Sequence, residues 1–222
     1  MTSAGNDIVC LNATDITRTK QYRFYSKILS NTEKELYKEN AFAAIPFENF
    51  VWLLWSVKES AFKYLQRNNP GLVFIPVKFI VQQLRVPGGF ALTKYETTKT
   101  EGTGFDDNQV IQSIVTFGDA TLYSMSLMHN DFIHSVVNNN EDFKNTCWGI
   151  KTIERNDPYY QSTAVRSFLL NRLNLHFRMD DLAIGKNLQG VPIVLKENEV
   201  LPIPVSLSHH GCFVAYSFIS RF

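Results

Sequence analysis

Glu59 and Lys63 stand four residues apart in Trp55-Ser56-Val57-Lys58-Glu59-Ser60-Ala61-Phe62-Lys63. On a helix of about 100° per residue they share a face. A carboxylate one turn before an ammonium can accept a proton or hold a cation while the ammonium meets an anion. The same spacing also makes an ordinary surface ion pair. Phe50, Leu53, Leu54, Val57, Ala61, Tyr64 and Leu65 gather on the opposite side of this wheel as a core stripe. Trp52 and Trp55 lie near Glu59, so that face is expected to be half-covered, by another part of the chain or by a ligand. Three other residues carry comparable chemistry. Asp7, at the mouth of the apolar run Ile8-Val9-Cys10-Leu11, is either a turn residue or a metal ligand held by a buried strand. His209 in Ser208-His209-His210-Gly211 reads by default as a solvated loop histidine, and Lys186 in Gly185-Lys186-Asn187 as a surface loop lysine.

The elements that must position these residues can be read from pattern. Ile8–Leu11 reads as a buried strand. Asp15 caps a helix running through Arg18, Lys20 and Arg23 to Leu29, and Ser30-Asn31-Thr32-Glu33 has capping-box spacing for a second, short helix. A long helix is predicted from about Glu48 to Gln66, stopped by Asn68-Asn69-Pro70-Gly71. Strands follow over 77–86, 110–117, 121–128 and 132–137, with a hairpin at Gly118-Asp119. Asn138–Asp142 reads as a linker, dividing the chain into a first half over 1–140 and a second over 141–222. The second half is predicted to hold a helix over 163–175 and strands over 191–195, 205–207 and 212–219. That arrangement puts His209 at a hairpin tip.

The chain has 222 residues, 45% hydrophobic and 19% charged, with 17 Phe, 9 Tyr and 3 Trp, which is enough for a sizeable core and excludes disorder. Its 22 Lys and Arg against 21 Asp and Glu leave a net charge of +1, too little for a protein whose task is gripping nucleic-acid backbone. A small phosphate pocket needs only two or three local cations. Cys10, Cys147 and Cys212 are scattered, with no CxxC spacing, and suit a reducing compartment better than a disulfide framework. Residues 1–20 do not read as a signal peptide, and the densest apolar run, Phe50–Trp55, is far short of a membrane span. A soluble, cytoplasmic protein with no nucleic-acid or membrane partner is expected.

Four segments together resemble the 4'-phosphopantetheinyl transferase superfamily: Gly5-Asn6-Asp7-Ile8-Val9; Arg23–Leu29 with the following Glu33; Trp55–Lys63, which matches W-x-x-K-E-[AS]-x-x-K; and Ser206-Leu207-Ser208-His209-His210-Gly211. Gly190-Val191-Pro192 looks like the family's G-K-P segment, with Val191 in place of its lysine. In the longer members the histidine half precedes the Asp–Glu–Lys half. Here Asp7 opens and His209 nearly closes the chain, so the order looks like a circular permutation. A short synthase carrying a large insertion is the competing description.

The resemblance implies an α+β pseudo-dimer of two similar helix-plus-antiparallel-sheet halves with the site between them. It implies transfer of phosphopantetheine from coenzyme A to a serine of an acyl or peptidyl carrier protein, releasing 3',5'-ADP. Asp7 and Glu59 would hold Mg²⁺, and Glu59 could also accept the serine proton. Lys63 would face the pyrophosphate, and His209, Lys186 and Arg166 would meet phosphates of coenzyme A. The position two after Asp7, acidic in many longer members, is Val9 here. Arg18, Lys20, Arg23 and Lys27 on one early helix read either as a basic face for an acidic carrier or as an ordinary solvated helix face. Two halves in one chain predict a monomer, and a non-catalytic, carrier-binding relative of the same fold is the alternative.

Overall fold

A computed structural model describes residues 3–39, 42, 44–92 and 101–220. Met1, Thr2, Arg221 and Phe222, the ends that the permutation reading would join, lie outside the described residues. The strands and helices run in the order β1 (Gly5–Cys10), α1 (Ile16–Thr19), α2 (Tyr22–Tyr25), α3 (Asn31–Leu36), α4 (Phe47–Gln66), β2 (Ile80–Arg85), β3 (Glu101–Thr103), β4 (Ile111–Phe117), β5 (Ala120–Met128), β6 (Phe132–Asn138), β7 (Thr146–Thr152), α5 (Pro158–Phe177), β8 (Leu182–Lys186), β9 (Pro192–Lys196), β10 (Glu199–Leu201), β11 (Val205–His210) and β12 (Phe213–Ile219). It is a mixture of helices and antiparallel sheets.

Alternation along the strands builds the layers. β1, β6, β5, β4 and β2 form one sheet in that order, every pair antiparallel. Val9, Ile133 and Val137 point from it to α4 and pack with Phe50, Leu53, Leu54, Val57 and Ala61. Ile8, Cys10, Phe132 and Val136 point the other way and meet Trp148, Ile150, Phe213 and Ala215 of a second sheet, ordered β11, β12, β7, β3. The far face of that sheet presents Cys147, Val205, Tyr216 and Phe218 to Leu169 and Leu173 of α5. The layers are therefore α4, sheet, sheet, α5. A small antiparallel sheet of β10, β9 and β8 adds to the α5 side. Because both its faces are covered, β1 is buried along its whole length, which is why it reads as a continuous run rather than an alternating one.

Several local expectations hold. Glu33 and Ser30 close a capping box, Ser30 N donating to Glu33 Oε2 at 2.7 Å and Glu33 N to Ser30 Oγ at 3.3 Å. The hairpin at Gly118-Asp119 joins β4 to β5. Others change. The helix predicted from Asp15 to Leu29 is broken into α1 and α2, with Gln21 in extended backbone between them. Buried Thr19 closes α1 by bonding Asp15 O at 2.7 Å while accepting from the Trp52 indole at 3.1 Å, which pins the break over α4. The basic residues of that stretch therefore share no single helix face: Lys20 pairs with Glu48 at 3.2 Å and Arg18 lies over the Phe24 ring. α5 starts earlier than predicted, at Pro158, behind an Asp157 cap. β11 extends through His210 and turns at Gly211-Cys212, so His209 is a strand residue opposite Val214 and not a hairpin tip. β3, paired with β7, joins the second sheet although it precedes β4 in the chain. Among the described residues, no helix is long and apolar enough to cross a membrane.

Candidate active site

The site begins where β1 lies on α4. Gly5 permits the approach, since a Cβ there would fall 2.2 Å from Ser60 O and 2.9 Å from the Tyr64 Cβ. Two helix serines then stitch α4 to the sheet. Ser56 Oγ donates to Asp7 O at 3.3 Å, and Ser60 Oγ reaches Ser135 O of β6 at 3.0 Å. Asp7 thereby comes level with the Glu59–Lys63 turn, 56 positions away from Lys63 in sequence. Lys63 Nζ donates to Asp7 Oδ1 at 3.0 Å and to Asn6 O at 3.1 Å, and pairs with Glu59 Oε1 at 3.2 Å.

One ammonium thus bridges two carboxylates, and the second Asp7 oxygen, Oδ2, is buried with no hydrogen-bond partner. Burial pushes the Asp7 carboxyl up to about 7, with Lys63 pulling it down and the Glu59 charge adding to the rise. For Lys63, burial works against the charged form, yet the Asp7 and Glu59 carboxylates leave its ammonium above the usual lysine range. Glu59 keeps 27% of its side chain exposed against 7% for Asp7, so the cluster has a closed floor and an open side.

Two hard oxygen donors, one of them buried and unpartnered, fit a divalent cation of the magnesium class, which takes one or two carboxylates and completes its shell with water and phosphate. Among the described residues no third His, Cys, Asp or Glu joins them as a ready-made metal cluster. Val9 is buried in the α4 core and supplies nothing to it.

The Ser-Leu-Ser-His-His segment meets this floor through β11. Its alternate side chains bond β1: Asn6 N donates to Ser206 Oγ at 3.0 Å, Ser208 Oγ to Asn6 Oδ1 at 2.5 Å, and Cys10 N to His210 Nδ1 at 3.0 Å. His209 projects to the other side and is exposed. Its imidazole is held below the usual histidine range, by partial burial first and then by the Lys63 charge, with Glu59 acting in the opposite sense. His209 therefore stands within electrostatic reach of both cluster residues. Lys186 ends β8 opposite Pro192 and is exposed, while Arg166 is half-buried on α5. Among the described residues, neither makes a hydrogen bond or ion pair with Asp7, Glu59 or Lys63.

Some contributions were not legible in the sequence. Lys58, the lysine of the W-x-x-K-E pattern, is fully buried, donating to Glu33 Oε2 at 2.7 Å and to Ile28 O at 2.6 Å. Glu33 also accepts from Val81 N at 2.8 Å, so this pair clamps α3, α4 and β2 together. Arg67, one turn beyond Lys63, donates to Pro192 O at 3.2 Å and Val205 O at 2.5 Å, tying the end of α4 to the Gly-Val-Pro segment and to the start of β11. The spacing from Lys63 was its only signal. The tryptophans beside Glu59 are covered by the chain itself, Trp52 by Thr19 and Phe24 and Trp55 by Phe74.

A family model described as the 4'-phosphopantetheinyl transferase superfamily matches residues 3–115, just over half of the chain. The chain belongs to that superfamily, and the membership associates it with phosphopantetheine transfer. The matched stretch holds Asp7, Glu33, Lys58, Glu59 and Lys63 and stops before Arg166, Lys186 and His209. No curated protein and no solved structure matches the chain.

Proposed function

We propose that this chain transfers 4'-phosphopantetheine from coenzyme A to a serine hydroxyl of an acyl or peptidyl carrier protein, with Mg²⁺, releasing 3',5'-ADP. The observation that carries the reading is the Asp7–Lys63–Glu59 cluster, with its buried, unpartnered Asp7 oxygen beside the strand that bears His209. In phosphoryl transfer the protein acts mainly by positioning and by neutralising charge on phosphate oxygens. Asp7 and Glu59 would hold Mg²⁺, which would supply part of that neutralisation. Lys63 binds a pyrophosphate oxygen and His209 a second phosphate of the donor. Arg166 and Lys186 are assigned to outlying phosphate contacts. The serine oxygen attacks the phosphorus that bears the pantetheine arm, the bond from that phosphorus to 3',5'-ADP breaks, and the open-side carboxylate of Glu59 takes the serine proton.

The halves are assigned to 1–140 and 141–222 as a pseudo-dimer acting as a cytoplasmic monomer. Support comes from each half placing one long helix on an antiparallel sheet, α4 in the first and α5 in the second, with the two sheets face to face. The test is intact-mass analysis of an apo carrier protein incubated with the chain, coenzyme A and Mg²⁺. The carrier is expected to gain about 340 Da, and to gain nothing with Glu59→Gln or with a chelator. An unlabelled panel of carriers, with coenzyme A still bound by the chain, would replace this reading with a non-catalytic carrier-binding role.

A further inference from the structure

Two of the three cysteines, 202 positions apart, meet at the junction of β1 and the β11–β12 turn, with 3.9 Å between their sulfur atoms. Cys10 is buried at the end of the strand that carries Asp7, and Cys212 is exposed in the turn that follows His209 and His210. Both are free thiols. The approach is built into the backbone. Gly211 sits at φ 57°, and a Cβ there would fall 2.8 Å from both the Cβ and the Sγ of Cys10. The Cys10 amide is meanwhile held by His210 Nδ1 at 3.0 Å. A surface cleft of about 520 Å³, bordered by Cys10, Ala13, Arg155, Gly211 and Cys212, opens the pair to small solutes. Cys147 lies apart, buried on the α5 side of the second sheet.

We propose that Cys10 and Cys212 form a modification site, a vicinal dithiol that a small disulfide such as oxidised glutathione converts into an intramolecular disulfide. The Cys212 thiolate attacks one glutathione sulfur, displacing a glutathione thiolate and forming a mixed disulfide. The Cys10 thiolate then attacks the Cys212 sulfur and displaces the second glutathione. Two protein thiols are oxidised, one disulfide is reduced to two thiols, and the protons lost from the cysteines go to the departing thiolates. Closing 3.9 Å to a bond of about 2.05 Å needs a movement of under 2 Å in a surface turn. Partial burial and the neighbouring Cys10 raise the Cys212 thiol above its usual range, which lowers its thiolate fraction and slows the first attack. The product staples the strand of Asp7 to the hairpin of His209. This assignment does not depend on the transferase reading.

The test incubates the full chain with oxidised glutathione, followed by intact-mass analysis and peptide mapping. The expected result is a loss of about 2 Da, a Cys10–Cys212 cross-linked peptide, and full reversal by dithiothreitol. Cys147→Ser is expected to behave as the unaltered chain, and Cys212→Ser to form no cross-link. The long loop closed by the bond should raise the melting temperature by at least about 5 °C in the unaltered chain and in Cys147→Ser, and not in Cys212→Ser. A stable glutathione adduct of about 305 Da on Cys212, a link through Cys147, a disulfide between two chains, or three thiols left free would each overturn the proposal. A cross-link that lowers the melting temperature would overturn the staple.

Discussion

Replacing Asp7 by asparagine should stabilise the metal-free fold at neutral and alkaline pH and leave it unchanged in acid. The Asp7 carboxyl is pushed up to about 7, by burial first and against the attraction of Lys63, from an ordinary value of 3.8. An acid whose folded value lies above its unfolded one leaves stability intact only below the unfolded value. The cost grows as pH rises from about 4 to about 7 and is constant above that. A gap of about 3 units at about 1.4 kcal/mol each comes to ~4 kcal/mol at pH 8. For a chain of this size that is roughly 8–16 °C in melting temperature. Asparagine reproduces the neutral acid, and Lys63 keeps Glu59 as its partner, so the substitution strands no ammonium. The assay is thermal melting of both forms in chelator, from about pH 4 to about pH 8. Mg²⁺ added at the alkaline end should raise the unaltered chain toward the variant and leave the variant where it is. A difference that is the same at every pH, or an Asp7→Asn variant that melts lower at pH 8, would refute the reasoning. The native site on this view carries a destabilising charge that its ligand relieves.

Three further outcomes follow from the same geometry. Lys58→Met leaves the Glu33 carboxylate buried without its cation and should cost about 3–5 kcal/mol in a urea melt, and Glu33→Gln should then cost less in that background than alone. A loss under about 1 kcal/mol would show the pair to be dispensable. Gly5→Ala must accommodate a Cβ 2.2 Å from Ser60 O, so a loss above about 3 kcal/mol is expected, and an unchanged urea midpoint would contradict the packing of β1 on α4. Arg67→Met removes the donor to Pro192 O and Val205 O at a cost of about 1–3 kcal/mol, part of which Arg67→Lys should recover.

The elements with a strong local signal were readable from sequence: α4 by its core stripe, β5 by its β-branched and aromatic residues after the Gly118-Asp119 turn, and β1 by an apolar run bounded by Gly5-Asn6-Asp7. The elements that escaped owe their form to distant partners. The break between α1 and α2 is set by the Trp52 indole, 33 positions away from Thr19. β7 was missed because Gly149 interrupts its pattern and Thr146 opens it with a buried polar group. β11 seemed to end at Leu207 because serines and histidines follow, yet Ser206, Ser208 and His210 are the side chains that hold it to β1. Within the site, Glu59 and Lys63 were visible as a helical pair, but only the fold brings Asp7 onto the same ammonium. Lys58 looked like one more motif lysine, and its burial against Glu33 depends on how α3 folds back over α4.

The central claim is that α4, in the first third of the chain, and β11, near its end, build one phosphate site. Calorimetric titration of coenzyme A with Mg²⁺ into the unaltered chain, Lys63→Met and His209→Ala tests it most directly. Each substitution is expected to weaken binding by about tenfold or more, near 1.4 kcal/mol apiece, with exposed Lys186→Ala losing less. Coenzyme A bound equally well by His209→Ala would remove β11 from the site, and equal binding by Lys63→Met as well would contradict the account.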